Sequence, residues 1–297
     1  MTGDGGKMAA RALAIPLIAT LFLFVVAAAC VIPKSSSSSG DGAKDHPPGS
    51  AAAVGSSASP GSNAVDMASA IDAERIVDRY IEELGGAGAA QNVHSIGAMG
   101  TFEMPERRVT GSLELYAKEP NKAAVIVKTP DRSVFVIQAF DGAVGWEQSL
   151  AQDRSRLNLR RMTGAELDYL RFNSDFYWEF RLKELYPVLA LKGKEKVDDR
   201  EAYVVEAKTR SGNGETLYFA ADSGLLVRRD MRQPGPTGET SVQIYFDNYQ
   251  APKGVSGFRL PFTRSYIYPD RMNNIIFRLS DVTANMPLKD STFSMPG

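Results

Sequence analysis

The sequence predicts an α+β domain built on one large antiparallel sheet that curls, with helices covering its inner side. Three observations carry this. Short alternating segments with turn residues between them follow one another from about residue 111 to 282. An amphipathic helical stripe precedes them, and an aromatic-rich helical segment interrupts them. Several strands, notably "VFVI" (134–137) and "NIIF" (274–277), are apolar on both faces. Large twisted sheets curl rather than stay open, and a curled sheet wrapped on helices buries both faces. A β-sandwich would do the same and stands as the alternative.

The elements follow in order. "SAIDAERIVDRYIEELGG" (69–86) places Ile76, Val77, Tyr80, Ile81 and Leu84 on one stripe, with Asp72 as N-cap and Gly85 as a left-handed C-cap. "GGAGAA" (85–90) follows a helix rather than a strand, so it reads as a helix stop and a short turn of helix, not a dinucleotide loop. "GSLELYAK" (111–118) alternates, with Leu113, Leu115 and Ala117 on one face. "KAAVIVKT" (122–129), "SVFVIQAF" (133–140) and the Asp-Gly hairpin of "FDGAVGWEQ" (140–148) come next. "TGAELDYLRFNSDFYWEFRLKELYP" (163–187) is helical, with Thr163 and Glu166 at capping-box spacing. Strands then resume at 201–208, 215–221, 225–231, 240–249, 257–268 and 274–282, separated by turn chemistry such as Asp222-Ser223-Gly224.

Ahead of this domain (67–297), residues 1–30 have the layout of a secretory signal: Lys7 and Arg11, then the uncharged "ALAIPLIATLFLFVVAAA" (12–29). A cleaved signal and a retained span, which needs about 18 apolar residues, are two readings of it. The third is a lipobox, because "VAAAC" (26–30) places Cys30, the only cysteine, at the junction; Ala27 stands where leucine is usual. Residues 31–66 form a Ser/Gly/Pro/Ala tether with too little apolar surface to fold. Val31, in place of aspartate after the cysteine, favours outer-membrane sorting.

Composition narrows the function. With 34 Lys+Arg against 35 Asp+Glu there is no electrostatic footprint for nucleic acid. One cysteine and two histidines leave no disulfide framework and few metal ligands. His46 lies in the tether. His94, the one histidine of the domain, has no nucleophile motif nearby and reads as a surface residue, so a hydrolase is the weakest hypothesis. Asp198–Asp199 and Glu82–Glu83 read as solvated charge, and Arg160–Arg161 and Arg228–Arg229 as solvated edge doublets. What remains is abundant apolar wall without a polar centre, which suits a carrier of something greasy.

Four stretches resemble the LolA/LolB-like half-barrel family: "IVDRYIEELGGAGAAQNVHSIGAMGTFE" (76–103), "FDGAVGWEQ", "REAYVVEAKTRSGNGETLYFAADSGLLVRRD" (200–230), and the closing strands and tail from "GFRLPFTRSY" to "FRLSDVTANMPLKDSTFSMP" (257–296). The resemblance spans roughly 70–297. It implies an unclosed, strongly curved antiparallel sheet around helices, with an apolar cavity for acyl chains. Under it, the expected protein is no enzyme and needs no cofactor. It is a monomeric lipoprotein of the bacterial envelope, on the periplasmic face of the outer membrane. Its partners are the membrane, through Cys30, and a lipid or acylated lipoprotein. Cavity walls are expected at Leu113, Leu115, Trp178, Val205, Leu217 and Phe219, and at Ile244, Phe246, Phe258, Leu260, Phe262 and Phe277. An interaction module that docks an envelope partner is the alternative.

Overall fold

Alternating strands with tight turns pair with their neighbours, and the computed structural model shows a meander running out from the middle of a sheet. It describes residues 60–150, 156–235, 238–269 and 274–297, with side chains from Met67 onward. The signal-like segment, Cys30, His46 and nearly all of the tether lie outside the described residues.

From β1 (Ser95–Met104) the chain steps outward through β2 (Val109–Lys118), β3 (Lys122–Lys128), β4 (Phe135–Phe140), β5 (Gly145–Leu150) and β6 (Leu157–Arg161). The helical insertion then carries it to the opposite edge, β7 (Val188–Val197). It returns through β8 (Arg200–Lys208), β9 (Gly214–Ala220), β10 (Leu226–Gly235), β11 (Gly238–Gln250), β12 (Leu260–Ile267) and β13 (Ile275–Ala284). β13 pairs antiparallel with β1, giving one 13-stranded sheet in which β6 and β7 are the two unjoined edges. The sheet is an unclosed half-barrel, and the β-sandwich alternative is excluded because all strands among the described residues belong to one sheet.

Helix α1 (Pro60–Glu83) begins upstream of the expected start. Asp72 therefore lies inside the helix, where it pairs with Arg75 instead of capping. Its stripe is as expected: Val77, Tyr80 and Leu84 are buried, with Ile76 and Ile81 packed beside them. Gly85 has φ +114°, and a Cβ there would lie 1.5 Å from the Gly257 carbonyl oxygen, so only glycine fits this corner. The short helix α2 (Gly86–Ala90) follows.

The insertion is broken into α3 (Gly164–Asn173), a 3-10 turn at Trp178–Phe180 and α4 (Leu182–Leu185). Thr163 makes no side-chain cap. The capping box fails because both Glu166 carboxylate oxygens are taken by Arg160, at 2.7 and 3.1 Å. The apolar residues of α1 and the insertion fill the inner face in one core with Leu113, Val205, Leu217 and Phe219. Tyr80 packs against Phe219 with ring centroids 5.4 Å apart.

The outer face of β2–β5 is covered by the C-terminal tail. Tyr116, Ala124, Ala139 and Trp146 are register partners across these strands and pack with Leu288 and Phe293. The Trp146 indole N–H donates to the Phe293 carbonyl at 2.7 Å. This explains why "VFVI" is apolar on both faces: Val136 points into the core, and Ile137 packs under the tail. Among the described residues no helix is long and apolar enough to cross a membrane.

Candidate functional site

The inner face is not filled along its whole length. Where the α1–α2 corner, β1–β3, β11–β13 and the segment 174–180 converge, they line a partly open cavity of about 130 Å³. Its sheet wall includes Ala98, Leu115, Val125, Ile244, Phe246 and Val282. Leu84, Ala90 and Val93 close one side, and Phe176, Trp178 and Phe180 form the roof. Phe180 stacks on Phe258 with centroids 5.8 Å apart. Small side chains such as Ala98 and Ala117 leave the space that larger residues fill elsewhere on this face.

The expected wall residues divide. Leu115, Trp178, Ile244, Phe246, Phe258 and Leu260 line the cavity. Leu113, Val205, Leu217, Phe219 and Phe277 are packed into the main core. Phe262 joins Val93, Ala98 and Val282 in the smaller cluster that borders the cavity.

The roof is fastened by polar contacts. The Tyr177 hydroxyl donates to Glu119 at 2.6 Å, and His94 Nδ1 stands 2.9 Å from the other oxygen of the same carboxylate. The Phe176 N–H donates to the Pro120 carbonyl at 3.0 Å. Burial, with Glu119 adding to it, pushes the Tyr177 phenol up to about 12. The hydrogen bonds from Tyr177 and His94 hold Glu119 below the usual carboxylate range. His94 thus serves at the rim, its side chain 59% exposed.

Four charged side chains line the cavity: Asp175, Glu179, Arg259 and Arg264. Asp175 is hydrogen-bonded by Arg181, and Arg259 donates to Glu83 at 2.8 Å. Arg264, on β12, has the Glu179 carboxylate of the 3-10 turn at 3.9 Å among its interactions. Sequence reasoning found no polar centre, yet a signal for one was present. In "LPFTRSY" Arg264 has the same parity as Leu260 and Phe262, an arginine on an inward-facing row.

The arginine doublets correct the expectation of solvated edges. Arg229 is fully buried on the inner face. Its Nε donates to Glu215 at 2.6 Å and its Nη2 to the Tyr186 hydroxyl at 2.7 Å, while its guanidinium lies 4.3 Å from the Trp178 ring centroid. Arg228, on the outer face, is bonded to Asp230 at 2.6 Å and lies over Tyr218 and Tyr245. Arg160 bridges Glu166 and the buried Glu147, whose carboxyl is pushed up by burial. A doublet in sequence straddles the sheet, so one member always faces in. Among the described residues no group of three or more histidine, cysteine, aspartate or glutamate residues is placed to hold a metal ion.

No protein-family model and no curated protein matches the chain. Among solved structures, a DUF1329 family protein from Desulfovibrio piger is similar at 13% identity, covering 75% of this chain and 97% of that one, with a TM-score of 0.49. A LolA superfamily protein from Nitrosomonas europaea is similar at 14% identity, with 75% and 97% covered and a TM-score of 0.46. The lipoprotein LppX of Mycobacterium tuberculosis is similar at 14% identity, with 73% and 98% covered and a TM-score of 0.28. The strand order itself, open at β6 and β7 with helices on the inner face, makes this chain an unclosed antiparallel half-barrel.

Proposed function

We propose that the chain is a non-enzymatic, membrane-tethered envelope protein that holds an acyl chain of a lipid or lipoprotein in this cavity. The observation that carries the reading is an apolar void on the inner face of a sheet that is otherwise solidly packed. At about 130 Å³ it is close in size to an engineered apolar cavity of roughly 150 Å³ that stays dry and binds benzene. Six methylenes fit that scale and gain roughly 5 kcal/mol, at about 0.8 kcal/mol each.

Cys30 is the attachment point in this reading, and residues 31–59, ahead of α1, are the tether. A Ser/Gly-rich linker of some 30 residues has an r.m.s. reach of roughly 30 Å, enough to hold the domain near a bilayer surface. The test is mass spectrometry of the full chain extracted natively, combined with titration of a fluorescent acyl probe. Acylated Cys30 and a co-purifying acyl lipid are the expected results. A protein that carries no lipid, binds no probe and cross-links to one envelope protein would replace this reading with the docking module.

A further inference from the structure

A polar side chain in the cavity lining is left over. Ser174 caps the C-terminal end of α3, where its backbone N–H donates to the Leu170 carbonyl at 2.9 Å. The residue lines the cavity and is only 2% exposed, and its hydroxyl has no hydrogen-bond partner. Other polar groups of the lining are engaged. Asp175 accepts from the Tyr177 N–H at 3.0 Å and from Arg181, Tyr177 donates to Glu119, and Arg259 donates to Glu83.

A serine near a helix end commonly satisfies its hydroxyl on a carbonyl of the preceding turn. Ser174 does not. A buried hydroxyl without a partner is costly, and at the wall of an apolar void a single oxygen of a bound molecule removes that cost. The hydroxyl can donate to a carbonyl oxygen, or both donate to and accept from another hydroxyl. An anion suits the spot less, because Asp175 on the adjoining residue already carries negative charge. The contact requires no rearrangement of the lining, since Leu115, Val125 and Ile244 already supply the apolar wall for the rest of the molecule.

On the acyl-binding reading above, we propose that Ser174 determines the specificity of the cavity. Its ligand is an aliphatic chain bearing an uncharged oxygen function, a carbonyl or a hydroxyl, that hydrogen-bonds the Ser174 hydroxyl. A bare hydrocarbon leaves that hydroxyl unpaired.

The test titrates the full chain with heptane, 2-hexanone and 1-hexanol, which have the same number of heavy atoms. Binding is read in sealed cuvettes from the fluorescence of Trp178, which lines the cavity. Ser174→Ala should weaken 1-hexanol, or both oxygen probes, by fivefold or more and leave heptane within twofold. Loss for both marks a ligand that presents a carbonyl, and loss for 1-hexanol alone marks one that presents a hydroxyl. Ser174→Cys, close in size but a weak donor, should act in the same way and decides the matter if Ser174→Ala does not fold. Without any probe, Ser174→Ala should melt at or above the wild-type temperature, because it removes an unpaired buried hydroxyl. A clearly lower melting temperature, an equal loss for all three probes, or unchanged binding of the oxygen probes overturns the role of Ser174 and leaves the acyl cavity standing. Failure of every probe to bind the wild type overturns both.

Discussion

Arg229 and Arg264 lie on the same face of the same sheet, two strands apart, and their surroundings differ in kind. Arg229 is sealed, with Glu215 and Tyr186 at 2.6 and 2.7 Å and the Trp178 ring above. Arg264 lines the cavity, with the Glu179 carboxylate at 3.9 Å among its interactions. At Arg229 the charge is consumed by buried partners on the sheet and at the end of α4; at Arg264 one carboxylate, Glu179 of the 3-10 turn, stands farther off. Trp178 divides the two ends, lining the cavity and stacking on Arg229. The lesson is that two arginines on one face of one sheet can stand in very different surroundings, one in the packed core and one at the cavity.

The largest effect should come from the sealed end. Arg229→Met leaves Glu215 charged and buried, and removal of one partner of such a pair costs about 3–5 kcal/mol. Denaturant unfolding should show this loss, and the double change with Glu215→Leu should recover much of it, since well-packed apolar replacements are tolerated. A loss near zero for Arg229→Met would mean that the two ends are not different in kind.

Adding volume sharpens the contrast. Ala207 is fully buried in the packed core, so Ala207→Leu should cost about 1–3 kcal/mol through overpacking. Ala98 lines the cavity, and Ala98→Leu places the same added atoms in existing space. It should cost under about 1 kcal/mol and abolish acyl-probe binding, because the void is used up. Thermal melts of both variants, with probe titration of the second, check this.

The smallest effect concerns the roof's fastening. The folded pKa of Glu119 is lowered, so the stabilisation it gives is complete above the ordinary carboxylate value of 4.5 and fades as pH falls through the lower folded value. Protection factors of the amides of residues 174–180, taken against the intrinsic exchange rate at each pH, should therefore fall below pH 4.5 while those around Arg229 stay high. Glu119→Gln should show the lower protection already at pH 7, with a global stability loss of roughly 0.5–1.5 kcal/mol. Protection that falls equally at both ends would show that Glu119 does not fasten the roof separately.

Much of the fold was readable because the signals were local. Gly85 stops α1 where its freedom for positive φ is needed, and Asp222-Ser223-Gly224 turns β9 into β10. The edge strands β6 and β7 escaped notice because most of their side chains are exposed, which removes the alternation that marks a half-buried strand. Thr163 and Glu166 had the right spacing for a capping box, yet a tertiary partner, Arg160, took the glutamate. The cavity was legible only as a face. Leu113 and Leu115 share one inward row, but the first is in the core and the second at the void.

The sequence by itself determined how side chains alternate along the strands, where the strands turn, and that both faces of the sheet need apolar cover, because period, turn chemistry and apolar surface are local properties. The tertiary structure alone decided that β13 returns to β1 and leaves β6 and β7 as open edges, that the tail covers the outer face, and that small residues from distant strands converge on one unfilled space. It also decided the surroundings of Arg229 and Arg264. Alternation assigns a face, but depth along that face, and the distance from a charge to its partner, depend on strand register and helix placement across the whole chain.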